Sequence, residues 1–263
     1  MELIDIGLNL THKSYDNERK QVMEEAGEVG VTKAIITGAD IHSSIKAAEY
    51  ATKYPGKLYA TCGVHPHDAK TCDDNTIPTL RQLAKKSNVV AIGECGLDYN
   101  RNYSPQNIQK KWFKAQLQLA KELNMPVFLH DRESYDDFAK ILRKYPTVAK
   151  KSVVHCFTGN KYEVQDYIDL GCYIGVTGWI CDERRGDNLR EAVKYIPPER
   201  LMIETDGPFL IPRDLKPKPK KNRNEPKYLP HILDRIAKEM GLNSQELGEQ
   251  VTKNTINFFN LKK

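Results

Sequence analysis

Val89-Val-Ala-Ile-Gly-Glu94 is an apolar run of strand type that stops on a carboxylate. The same kind of ending recurs in Pro126-Val-Phe-Leu-His130, Ser152-Val-Val-His155 and Leu201-Met-Ile-Glu-Thr-Asp206. A parallel barrel gathers the C-terminal ends of all its strands on one face, so these four residues would meet around one point. Working outward, the runs Leu3–Leu8, Lys33–Thr37, Leu58–Cys62 and Tyr173–Val176 join Val89–Gly93, Val127–Leu129, Ser152–His155 and Leu201–Ile203 to make eight. Helical periodicity fills segments between them, among them Ile108–Leu123, Asp136–Lys144 and Tyr162–Leu170. Such alternation predicts a parallel sheet covered by helices, a pattern that an open doubly wound sheet shares. No Gly-x-Gly-x-x-Gly and no P-loop follows the first run, and the polar ends spread over the fourth, fifth, sixth and eighth runs. Both features favour a closed ring. The expected fold is α/β, a TIM-type (β/α)8 barrel forming a single domain over residues 1–263.

The chain has 263 residues, close to the ~250 typical of this barrel. Its 40% hydrophobic and 29% charged residues are ordinary for a globular protein. A formal charge of +5 permits an anionic substrate and is far from a histone-like coat. The six cysteines contain no C-x-x-C pair and are expected to be reduced thiols of a cytoplasmic protein. The Met-Glu-Leu-Ile-Asp start lacks a basic signal region, and no apolar stretch approaches the length of a membrane span. The one shift in composition is Leu215–Pro230, where prolines forbid regular structure and cations follow the last strand; a helical segment is expected from about His231.

Glu94, His130, His155 and Asp206 form a nitrogen and oxygen donor set suited to a hydrolytic divalent metal. Each alone could be structural: a histidine satisfied by hydrogen bonds, or an acid capping the next helix. Their shared position at strand ends is what points to a metal. Asp206 is the candidate to orient a water and take its proton, and Glu94 the candidate bridging carboxylate. His65 and His67, in Gly-Val-His65-Pro-His67-Asp68, either stiffen a loop or touch phosphate and protonate a leaving group. Arg132 lies two residues beyond a candidate ligand and could meet a phosphoryl oxygen. Arg184 and Arg185 follow the seventh run, where phosphate sites of this architecture occur, yet Asp182 and Glu183 make a surface ion-pair cluster equally open. The Lys216–Arg223 run is either a solvated loop or a contact for a nucleic-acid backbone. Cys95 and Cys156 each follow a candidate ligand, so strand alternation predicts that their thiols face outward. No Gly-x-Ser-x-Gly elbow supports a serine nucleophile.

The blocks Gly63–Asp68, Ala91–Asp98, Met125–His130, Val154–Gly159, Gly175–Trp179, Ile203–Leu210 and Arg223–Pro226 together resemble the TatD family of metal-dependent deoxyribonucleases. The resemblance covers the whole chain and implies a barrel of the metal-dependent hydrolase superfamily. It further implies hydrolysis of single-stranded DNA from the 3′ end with Mg2+ or Mn2+ (Zn2+ is the alternative), using one or two ions. The family's ligand pattern carries onto Glu94, His130, His155 and Asp206, with Asp206, Glu94 and His65 as catalytic residues. His65, His67, Arg132, Arg184 and Arg223 are the expected substrate contacts. One departure stands out: most of the family ends its first strand with His-x-His, where this chain has Gly7-Leu-Asn9. One of two metal positions is therefore expected to be weak. A subgroup that cleaves DNA shares this Gly-x-Asn form. The expectation is a monomeric, cytoplasmic exonuclease of single-stranded DNA, with RNA a further substrate and no membrane partner. An amide or ester hydrolase, such as an aminoacyl-tRNA deacylase, is the rival on this scaffold. A nucleic-acid-binding protein without turnover is the third reading.

Overall fold

The computed structural model describes residues 1–261. Eight parallel strands run in chain order around one sheet: β1 Leu3–Leu8, β2 Val31–Ile36, β3 Leu58–Cys62, β4 Val89–Asp98, β5 Val127–Arg132, β6 Ser152–His155, β7 Tyr173–Val176 and β8 Leu201–Ile203. Beyond β8 the ring is drawn shut against β1. The Asp206 N–H donates to the Gly7 carbonyl at 2.8 Å and the Asn9 N–H to the Gly207 carbonyl at 2.8 Å. The barrel expectation holds, with helices between the strands as the alternation demanded.

Two apolar layers follow from the two faces of each strand. Leu3, Val31, Ala34, Ile92 and Val127 belong to the layer shared with the helices. Ile4, Ile6, Ile35, Phe128, Val153 and Met202 pack inside the ring, where Phe259 and Leu261 from the C-terminal end join them. One end of the barrel is thereby plugged with hydrocarbon, and the polar residues collect at the other.

Several boundaries differ from expectation. β2 begins two residues earlier and ends at Ile36. β4 continues through Glu94 to Asp98, and β5 runs on to Arg132, so Glu94 and His130 lie within strands rather than after them. Glycine explains the first case. Gly93 and Gly96 have φ of 127° and 153°, and a Cβ at Gly96 would stand 1.8 Å from the His130 carbonyl oxygen. They allow close approach to β5 instead of ending the strand. The helices run Gln106–Leu123, Tyr135–Leu142 and Lys161–Asp169, within two residues of expectation. The proline-rich stretch is irregular only in its first part. A 3-10 turn spans Pro226–Tyr228 and a helix begins at Leu229, where Pro230 sits in the first turn, a place that lacks N–H partners anyway. No helix among the described residues is long and apolar enough to cross a membrane.

Candidate active site

Glu94 is the shared acceptor of the pit at the open end of the barrel. One oxygen, Oε1, lies 2.7 Å from His155 Nε2, 3.0 Å from His130 Nδ1 and 3.3 Å from His65 Nε2. Residues from β4, β5, β6 and the loop after β3 thus converge, as the shared strand ends required. Burial alone would raise the Glu94 carboxyl, but the His155 and His65 imidazoles hold it well below the ordinary range. The same pairing works in reverse on His155. Its burial disfavours a cation, yet Glu94 and Glu204 keep it well above the usual imidazole value.

Each ring has its second nitrogen occupied. His155 Nδ1 faces Glu204 Oε2 at 3.3 Å, and the ring stacks on Phe128 with centroids 4.4 Å apart. A carboxylate behind a histidine fixes its tautomer and frees the other nitrogen for a metal. His130 Nε2 faces Asp98 Oδ2 at 3.3 Å, and the same oxygen takes His67 Nε2 at 2.7 Å. His65 differs from both. Its Nδ1 accepts the His67 N–H at 3.1 Å, which leaves the ring proton on Nε2, pointing at Glu94. Burial holds His65 well below its ordinary value, so it is neutral. Donor atoms of His65, Glu94 and His130 lie within 4.8 Å of one another. A metal at His65 Nε2 would need that proton moved and the cap bond broken, so His65 is better placed to donate a hydrogen bond than to ligate or, being neutral, to protonate a leaving group.

Asp206 lines the other side of the pit. Its Oδ1 accepts Asn9 Nδ2 at 3.0 Å, and its φ of 54° places it in the left-handed region. Such a backbone is held only where its surroundings fix it, here the bond to Gly7. Burial, with Glu94 and Glu204 nearby, pushes the Asp206 carboxyl up to about 8 against the opposing pull of His155. Behind it, fully buried Asp5 accepts Thr205 N–H at 3.0 Å and Thr205 Oγ1 at 2.5 Å, and burial pushes it to about 7.

The space above Gly7 is filled. A Cβ there would meet Glu204 Oε2 at 2.2 Å, and one on Gly175 would meet Glu204 Oε1 at 2.7 Å. Glu204 thus occupies a cradle that two glycines leave open, and Asn9 is the anchor of Asp206. Glu204 was missed in the sequence, although it sits two residues before Asp206, a spacing that returns to one side of an extended chain. Asp98 was missed because β4 was ended too early. Cys156 is a correction. Its φ of 47° breaks the alternation, its N–H donates to Glu204 Oε1 at 2.5 Å, and its thiol lies 3.9 Å from Thr177 Oγ1. It faces the pit, whereas Cys95 packs into the helix-side layer as expected.

The arginines separate clearly. Arg132 and Arg185 both lie over the Trp179 ring, 5.0 and 4.3 Å from its centroid. All three line a cavity of about 810 Å³ beside the ends of β5 and β6. Arg184 and Arg185 both pair with Asp182 at 3.1 Å and both guanidiniums are exposed, but only Arg185 lines the cavity. Arg223 is half-enclosed by Glu18, Glu225 at 2.7 Å and the Tyr15 ring at 4.9 Å. It ties the loop after β8 to the segment after β1.

The chain is similar to known proteins. A family model described as TatD related DNase matches residues 4–260. The 3′-5′ ssDNA/RNA exonuclease TatD of Pantoea ananatis (strain LMG 20103) is 47% identical over 259 residues, covering 98% of this chain and all of the relative. A hydrolase TatD family protein from Entamoeba histolytica superposes with TM-score 0.89 at 30% identity, covering 100% of this chain and 99% of that one. A TatD homologue from Escherichia coli K12 gives TM-score 0.90 at 25% identity over 99% of this chain and 98% of its own.

Proposed function

The chain belongs to the TatD related DNase family, and on that premise we propose that it is a metal-dependent exonuclease removing nucleotides from the 3′ end of single-stranded DNA and RNA. What supports the reading is the match of the whole chain to a whole exonuclease, joined to a pit whose donors suit a divalent cation. Glu94, His130, His155 and Asp206 would hold the ion, with Glu204 fixing His155. Carboxylate oxygens with imidazoles fit Mg2+ or Mn2+ in a hydrolytic role, Zn2+ being the alternative. When bound, such an ion makes water acidic enough to yield hydroxide near neutral pH and offsets charge on the phosphoryl oxygens.

The protein groups supply the rest. Asp206, held by Asn9, orients the attacking water and receives its proton. As the phosphorus to O3′ bond breaks, the neutral His65 ring donates a hydrogen bond from Nε2–H to the departing O3′, which takes its proton from water. His67 and Asp98 hold that loop in register. Arg132 and Arg185 present guanidiniums already oriented by Trp179 to the phosphates upstream, and Arg184 remains within reach of a longer strand. Arg223 contributes by fixing the cationic loop rather than by touching substrate. We take the protein to act as a monomer in the cytoplasm.

Metal-stripped protein given end-labelled single strands should leave them intact, then shorten them stepwise from the 3′ end once Mg2+ or Mn2+ is restored. Shortening from the 5′ end, or cleavage indifferent to metal removal, would overturn the reading.

A further inference from the structure

A second cluster of metal-binding side chains lies outside the pit. Cys181 closes the 3-10 turn after β7, Asp214 lies in the loop after β8, and His231 is in the helix Leu229–Met240. Their donor atoms all fall within 4.8 Å of one another. We propose that Cys181, Asp214 and His231 form a structural site for a thiophilic divalent cation, Zn2+ by its chemistry. The site binds both ends of the cationic segment 215–230 to the barrel.

The donor set selects the metal. Thiolate, imidazole and carboxylate together suit Zn2+, whereas Mg2+ takes oxygen ligands and keeps its waters. The carboxylate is oriented for the task. Asp214 Oδ1 faces His231 Nε2 at 2.7 Å, while Oδ2 is held by Arg235 Nη1 at 3.3 Å. A guanidinium on the far oxygen fixes a ligating carboxylate as outer-shell partners do. Cys181 is buried, and its sulfur lies within 4.8 Å of an Asp214 carboxylate oxygen. Burial and that carboxylate push the thiol up, so Cys181 is a poor nucleophile. A cation entering between the three groups takes the place of two protons: the thiol proton leaves to solvent, and the proton shared by His231 Nε2 and Asp214 Oδ1 leaves while the ring keeps its proton on Nδ1. Arg190 and Arg235 stand nearby and weaken cation binding, but the thiolate and carboxylate balance the ion's two charges.

The ion would matter for Lys216, Lys218, Lys220 and Lys221, which lie between Asp214 and His231. Closing a loop of this length at both ends removes conformational freedom from the segment. The catalytic donors are separate, so this site and the exonuclease reading stand or fall independently.

The test is optical and stoichiometric. Metal-stripped protein is titrated with Co2+, whose thiolate charge-transfer band in the near ultraviolet reports sulfur ligation. The band should appear in wild type and in Cys156→Ser, which removes the thiol facing the pit, and vanish in Cys181→Ser. Zn2+ content should fall by about one equivalent in Cys181→Ser, and likewise in His231→Gln, whose half-buried ring can be replaced without emptying the core. Zn2+ should also slow proteolysis within 215–230 in wild type only. No charge-transfer band in wild type, a band surviving Cys181→Ser, or equal Zn2+ content in wild type and His231→Gln would show that these residues form a hydrogen-bonded cluster without metal.

Discussion

On the β4–β6 side of the pit, one carboxylate is met by three imidazoles; on the β1–β8 side, Asp206, Glu204 and Asp5 crowd together, met by the His155 ring and by neutral donors of Asn9, Thr205 and Cys156. The first side balances its charge within the protein, which is why Glu94 is held low and His130 and His155 are held high. On the second side burial, with neighbouring acids adding to it, raises Asp5 and Asp206, which keep their protons up to about 7 and about 8. One half is therefore organised before any ion arrives. The other half wants a cation. Metal binding should release protons from both sides, from the imidazoles and from Asp206, so affinity rises with pH.

Glu94→Gln should have the largest effect and fall on fold and turnover together. It leaves buried imidazoles without their anion, which costs about 3–5 kcal/mol, and it abolishes cleavage. Urea unfolding of the metal-free variant measures the first, labelled-strand assays the second. Asp206→Asn should behave differently, lowering turnover by about 10²–10⁴ through loss of the proton acceptor without destabilising the metal-free protein. Equal losses of stability in the two variants would break the comparison.

Gly7→Ala comes next. Its Cβ displaces the flexible end of Glu204, so the fold survives while His155 loses its partner and metal affinity drops by about 10–100-fold in calorimetric titration. Asp5→Asn should leave turnover nearly unchanged and alter only the pH profile of stability. Asp5 has a folded value raised to about 7 from 3.8, so the native state holds a proton that the unfolded chain loses first. Wild-type stability thus falls as pH rises between about 4 and 7, by up to roughly 4 kcal/mol, and is flat above. The variant lacks that slope. A parallel pair of Tm-against-pH curves would sink this assignment.

Much of the pit was readable in advance because strands ending on ligand-type residues leave a mark in sequence: Glu94, His130, His155 and Asp206 all stand at the open end. What escaped reading depended on backbone detail. Gly93 and Gly96 look like a strand terminus but serve close approach, which hid Asp98. The left-handed turn at Cys156 reversed a thiol that alternation sends outward. Arg184 and Arg185 are neighbours in a loop, and only the packing of Trp179 decides which of them faces the cavity. Glu204 was legible from its spacing to Asp206, but its place above Gly7 was not, since a glycine in a sequence reads as a missing donor and not as room for another side chain.

Trp179 has a practical consequence of its own. Its indole lies under the two guanidiniums assigned to the strand, so any ligand that moves them changes the light it emits. The chain has one other tryptophan, Trp112, buried on the helix Gln106–Leu123, and Trp112→Phe would leave Trp179 as the sole emitter. The protein then carries its own fluorescent reporter, able to follow a strand's arrival and departure in real time without a dye.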